Sequence, residues 1–220
     1  MTDPTYQPAE RRPIRTRDLA VSKRAADWLA ARGVSANAIS TAGMLAAIAG
    51  AVALAATSLE SPWTRLLWLV GAAGAQLRLL ANMLDGMVAI ESGRASPVGE
   101  LFNEVPDRIS DAAMFIGLGY AAGGNPALGY LAALAAVFTA YVRAMAKVAG
   151  APQDFGGPMA KPQRMFVVTL VSLYNALAPS AWQPGWGLAA IALAIIAAGG
   201  LLTACLRLHR AAAYLRQARQ

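Results

Sequence analysis

Six apolar stretches, built from Ala, Leu, Ile, Val and Gly without strict alternation, run along the chain at about 39–57, 63–86, 108–123, 126–147, 165–180 and 186–207. Crossing an apolar layer ~30 Å thick takes roughly 17 to 25 helical residues, and each stretch reaches or approaches that length. Barrel strands would change face at every second residue, and these stretches do not. The pattern therefore predicts an all-α integral membrane fold of six transmembrane helices, each satisfying its own backbone polar groups. Short connections at 58–62, 121–125 and 180–185, containing Gly, Pro or Ser, predict antiparallel neighbours. Gly43 with Ala47, and Gly71 with Ala75, place small residues one turn apart where helices can approach closely.

Ahead of these stretches the pattern changes twice. Residues 1–16 carry prolines and charges with little apolar content and read as a flexible tail. From 17 to 32, Leu19, Ala20, Ala26, Leu29 and Ala30 form a modest apolar face beside Lys23 and Arg24, with Trp28 at headgroup depth. Two readings stand here: an amphipathic helix lying in the interface, or a basic helix that only sets topology. Gly33 to Asn37 then breaks the helix, and Ser35 or Asn37 can cap the next one. Residues 17–208 read as one membrane domain and 209–220 as a basic C-terminal tail.

Composition agrees with this class: 57% of the residues are hydrophobic and only 14% charged. Basic residues cluster before the first stretch (Arg11, Arg12, Arg15, Arg17, Lys23, Arg24, Arg32), at Arg94, at Lys161 and Arg164, and from Arg207 onward. The opposite connections hold no Lys or Arg, and Arg65 alone lies close to them. Basic flanks stay on the cytosolic side, so both termini are expected there, in a bacterial cytoplasmic membrane. The net charge of +7 is spread over all these flanks rather than gathered on one face. Membrane lipids, not nucleic acid, are the expected partner. A segment as long and polar as 1–36 does not read as the start of a signal peptide. Cys205 stands alone and can form no disulfide within the chain.

One cluster carries the candidate chemistry. Ionisable residues in membrane helices are costly and point to function. Arg78, Asn82 and Asp85 fall at i, i+4 and i+7, on one face of the second helix. The third helix is expected to begin near Asn103 or Glu104, with Pro106 in its first turn and Asp107 and Asp111 one turn apart. Two antiparallel helices would gather Asn82, Asp85, Asn103, Asp107 and, as a further candidate, Asp111, an oxygen-rich set suited to Mg²⁺ or Mn²⁺. The competing reading is an ion-pair network in which Arg78, Arg94 or Arg108 neutralises the carboxylates.

The string Asn82-Met83-Leu84-Asp85-Gly86-Met87-Val88-Ala89, followed by Gly99-Glu100-Leu101-Phe102-Asn103-Glu104-Val105-Pro106-Asp107, resembles the CDP-alcohol phosphotransferase signature. That signature reads D-x-x-D-G-x-x-A-R, about eight residues, then G-x-x-x-D-x-x-x-D. Gly33 to Asn37 is similar to the G-x-T-P-N turn that begins the family's first membrane helix. The segments around Arg143 and from Lys161 to Arg164 are similar to those that bind a phosphorylated acceptor in phosphatidylinositol-phosphate synthase-like members.

The resemblance, which covers about 17–208, implies six helices, a homodimer, and transfer of a phosphate-linked group from a CDP-alcohol to a hydroxyl acceptor with release of CMP. It implies Asp85 as a metal ligand, Gly86, Ala89 and Gly99 around the cytidine diphosphate, and Asp107 as general base for the acceptor hydroxyl. Asn82 and Asn103 stand where the family has aspartates, and Ile90 where it has arginine, so that Arg94 is the candidate replacement at the phosphate. Arg143, Lys161 and Arg164 can hold a phosphorylated small acceptor, pointing to CDP-diacylglycerol as donor, or can serve topology alone. The alternative to an enzyme is a non-catalytic paralogue that binds a CDP-lipid or a related subunit. A transporter fits least, since no internal repeat is evident.

Overall fold

The structure is a computed structural model that describes residues 17, 19–59, 61–93, 97–182, 184, 185 and 187–218. Seven α-helices follow in order: α1 (Ala20–Ala31), α2 (Ala36–Ala56), α3 (Thr64–Glu91), α4 (Pro97–Gly119), α5 (Pro126–Val148), α6 (Lys161–Leu177) and α7 (Leu188–Gln217). No strand occurs among the described residues. Four of the helices, α2, α3, α5 and α7, are long and apolar enough to cross a membrane. α6 has 17 residues and opens on Lys161 and Arg164, while α4 carries Glu104, Asp107, Arg108 and Asp111 through its middle.

Local chemistry sets the helix ends. Gly33 takes a positive φ of 73° and turns the chain out of α1. Of the two candidate caps for α2 it is Ser35 that acts, its Oγ accepting from the Ala38 amide at 3.1 Å. Asn125 caps α5 in the same way at 3.1 Å, with Pro126 at the first helical position. The expectation for α4 needs correction. It begins at Pro97 rather than near Asn103, and Pro106 lies inside it. Pro97 opens that helix at a position where a missing N–H costs nothing, whereas Pro106 costs one backbone bond to the turn before it. The Ser110 hydroxyl donates back to the Pro106 carbonyl at 2.6 Å. The expected C-terminal tail from 209 is helical as far as Gln217.

Packing runs α1 on α3, α3 on α2 and α6, α2 on α4, α4 on α5 and α5 on α7. Leu54, Trp68, Met114, Phe115, Leu118, Met165, Leu193 and Ile196 fill the centre. α2 and α3 touch backbone to backbone: a Cβ on Gly74 would stand 2.8 Å from the Ala46 carbonyl and 2.9 Å from Gly50 Cα. A second apolar cluster joins Ala26 of α1 to Ile39, Leu84 and Val88. The other face of α1 is exposed, with Arg32 stacked 3.7 Å over the Trp28 ring.

The loop between α5 and α6 is fastened to α7. Arg207 donates to the Gly156 carbonyl at 2.9 Å and the Thr139 carbonyl at 3.3 Å, and the Met159 amide donates to Thr203 Oγ1 at 3.0 Å. Arg210 pairs with Asp154 at 2.9 Å. Partial burial works to raise the Asp154 pKa, but the hydrogen bonds from Arg210 and the Gly156 amide outweigh it and hold the carboxyl below its ordinary range.

Candidate active site

The i, i+4, i+7 face of α3 forms as expected. Arg78 is wholly buried and Asp85 nearly so at 2% exposure, and Asn82 between them is half-buried. A guanidinium this deep needs an anion and acceptors. Arg78 Nη2 donates to Asp107 Oδ1 of α4, and Nη1 donates to the Ser40 carbonyl of α2 at 3.1 Å. Gly43 makes room, since a Cβ there would lie 3.2 Å from Arg78 Nη1.

From the other side α6 contributes two cations. Lys161 Nζ meets the same Asp107 Oδ1 and lies 3.4 Å from Asp111 Oδ1. Arg164 Nη2 reaches Asp111 Oδ2 at 3.0 Å while Nη1 donates to the Met159 carbonyl at 3.2 Å. Arg108 completes the set, 3.3 Å from Asp107 Oδ2 and 3.2 Å from Glu104 Oε1. Arg143 of α5 donates to Glu104 at 2.7 Å and lies 5.0 Å over the Phe155 ring. Three helices are thereby joined at Asp107.

The ion-pair reading of the carboxylates accordingly holds for Asp107 through Arg78 and Arg108, while Arg94 lies outside the described residues. Local spacing did not reveal that Lys161 and Arg164 serve the same network. Both are buried, at 5% and 3% exposure, and each pairs with an aspartate of α4. The usable signal was that cations three residues apart on one helix can face carboxylates four apart on another.

Oxygen donors of the kind a hard divalent cation takes remain available elsewhere in the cluster. Both carboxylate oxygens of Asp85 and the Asn103 Oδ1 are buried without a hydrogen-bond partner. Arg78 and Asp107 are near enough to act on Asp85 electrostatically, and the Ser40 hydroxyl and Gly86 amide approach it as donors. One carboxylate with amide oxygens fits a divalent cation in donor type, although among the described residues no three acidic or soft ligands converge. Gly86, next to Asp85, and Ala89, one turn on, are half-buried, and Arg17 lies over Gly86: a Cβ there would be 3.7 Å from its Nη2. Nothing in the sequence marked Arg17 as a neighbour of Gly86. Gly99 lies in the first turn of α4. A separate cleft lined by Ser61, Thr64, Arg65, Trp68, Asn175 and Leu188 lies at the other end of α3, roughly 30 Å from Asp85 by helix rise.

No protein-family model matches the chain. It is similar to the phosphatidylinositol phosphate synthase of Mycolicibacterium smegmatis, with 33% identity over 145 residues, 63% of this chain and 61% of that protein. Thus the chain spans less than two thirds of the length of this relative. The synthase of Streptomyces avermitilis matches at 30% identity over 185 residues, 81% of this chain and 72% of the relative. Among solved structures, the Mycobacterium tuberculosis phosphatidylinositol phosphate synthase shares the fold. With CDP-DAG bound it gives a TM-score of 0.70 at 22% identity, covering 88% of this chain and 94% of that one. In complex with manganese and citrate it gives 0.69 at 23%, covering 86% and 88%. The apolar helices make this a multi-pass membrane protein, and the relatives place it: the chain belongs to the CDP-alcohol phosphotransferase family.

Proposed function

We propose that the protein is a phospholipid-synthesis enzyme that transfers a phosphatidyl group from CDP-diacylglycerol to the hydroxyl of a small alcohol, such as a phosphorylated polyol, releasing CMP. The observation that carries this is the pairing of Asp85, a buried carboxylate in no ion pair among the described residues, with Asp107, held rigidly by Arg78, Lys161 and Arg108. Relatives called phosphatidylinositol phosphate synthase and a fold shared with a CDP-DAG complex support the substrate class. The arrangement we favour has six membrane helices with α1 at the interface, the termini and site cytosolic, and two copies per assembly.

The acceptor oxygen attacks the phosphorus that bears the diacylglycerol, the bond from that phosphorus to the CMP oxygen breaks, and CMP leaves with the electron pair. The hydroxyl proton passes to Asp107. Its Oδ1 is engaged by two cations and Oδ2 carries only the 3.3 Å contact from Arg108, so Oδ2 is the accepting atom. Asp85, with Asn82 and Asn103, would hold Mg²⁺ or Mn²⁺, which supplies shielding of the diphosphate and stabilisation of the departing CMP. Gly86, Ala89 and Gly99 leave space for the nucleotide, and Arg94 is its proposed phosphate contact. Arg143, Lys161 and Arg164 line the acceptor side, and Asp111 fixes the latter two rather than binding metal.

The test is CMP release by the purified protein given Mn²⁺ or Mg²⁺, CDP-diacylglycerol and a panel of alcohols. Turnover with at least one acceptor is expected. Nucleotide binding without turnover on any would instead establish the non-catalytic paralogue, which Asn82 and Asn103 favour. For an acceptor that carries phosphate, Arg143→Gln should raise KM about ten-fold, the loss of one charge-assisted contact worth roughly 1.5 kcal/mol. An unchanged KM would leave Arg143 a topology residue. Restoring carboxylates with Asn82→Asp and Asn103→Asp together should tighten Mn²⁺ binding about ten-fold, read by calorimetry; an unmoved titration would mean that neither residue is a ligand.

A further inference from the structure

Two fixed cations share one carboxylate oxygen in this site. Arg78 and Lys161 both donate to Asp107 Oδ1, and neither can withdraw to water. Arg78 is fully buried, anchored to the Ser40 carbonyl at 3.1 Å and seated in the gap that Gly43 leaves. Lys161 is 5% exposed at the first position of α6, with Asp111 at 3.4 Å behind it. The charge of Asp107 is therefore already matched within the protein, and that of Asp111 is matched by Arg164 and Lys161. Asp85 is different: Arg78, Ser40 and the Gly86 amide lie close enough to act on it, but no Lys or Arg among the described residues forms an ion pair with it. Asn82 and Asn103, the other proposed ligands, would contribute oxygens without charge. A second divalent ion would have to settle beside two immobile side-chain cations with no free carboxylate to receive it, and like charges in a buried setting repel strongly.

We propose that Arg78 and Lys161 are resident counter-cations that take the electrostatic place of a second metal, so that the site loads a single divalent ion, at Asp85. This rests on the proposed transfer reaction only for what the ion does there. Manganese stoichiometry tests it without turnover. Full-length protein in lipid nanodiscs, titrated with Mn²⁺ and followed by electron paramagnetic resonance, should bind one ion per chain, with no spin coupling between ions. The Asn82→Asp, Asn103→Asp pair should still hold one. Adding Arg78→Gln to that pair should raise the number to two and introduce coupling, a change that loss of packing alone would not produce. Two coupled ions in the wild-type protein, no bound ion, or a folded triple variant that stays at one would each overturn the proposal. Two coupled ions in the wild-type protein would overturn the proposal even if the triple variant fails to fold. Absence of CMP release from protein that binds one ion would remove the transfer reading and leave this one standing.

Discussion

Asp107→Asn protein should release CMP at least about 100-fold more slowly than wild type, because a positioned general base contributes roughly 10²–10⁴ to rate. The substitution keeps the shape and one acceptor oxygen for Arg78 and Lys161, but removes the proton acceptor facing Arg108. It also leaves the wholly buried Arg78 without its anion. Removing one partner of a buried pair costs about 3–5 kcal/mol, and the retained amide oxygen should soften this. The two effects separate by experiment. CDP binding and the thermal midpoint report whether the site still forms, and turnover per folded molecule reports the chemistry. A folded variant that binds CDP and turns over at the wild-type rate would strike Asp107 from the role of base.

Gly74→Val should lower stability by about 2–3 kcal/mol, the usual cost of forcing bulk into a packed contact. The added Cβ meets the Ala46 carbonyl at 2.8 Å and Gly50 Cα at 2.9 Å. Both are backbone, so no side chain can swing aside and α2 must part from α3. Those are the helices that bring Ser40 to Arg78, so the Mn²⁺ titration should weaken along with the melting temperature in detergent. Gly185→Ala is the control, since nothing lies within 4 Å of a Cβ there, and it should move stability by less than about 0.5 kcal/mol. Equal midpoints for the two variants would mean that the α2–α3 contact is not tight.

The apolar pattern located α2, α3, α5 and α7 because burial and helical period are written locally, in neighbouring residues. The same period placed Arg78, Asn82 and Asp85 on one face and Asp107 one turn from Asp111. Partners were harder to read. Lys161 lies 54 positions from Asp107, and nothing in the run Lys161 to Arg164 distinguishes a buried ion partner from a basic flank. The start of α4 was misplaced because Pro106 mimics a helix opening, while the actual opening, Pro97, follows the polar stretch from Glu91. Arg17 was overlooked for a related reason: its place over Gly86 depends on how α1 folds back across α3.

The ion pairs at Asp107 bear on how the protein is made. Zinc fingers and similar modules stay unfolded until their metal arrives, because metal binding supplies the free energy of folding. Here α3, α4 and α6 are drawn together by charges the chain carries itself, through Arg78, Asp107 and Lys161. Insertion and assembly in the bilayer can therefore run to completion in a cell starved of divalent ions. If the proposed divalent ion is required, protein made without it should be folded and inactive, and adding Mn²⁺ should restore turnover without refolding.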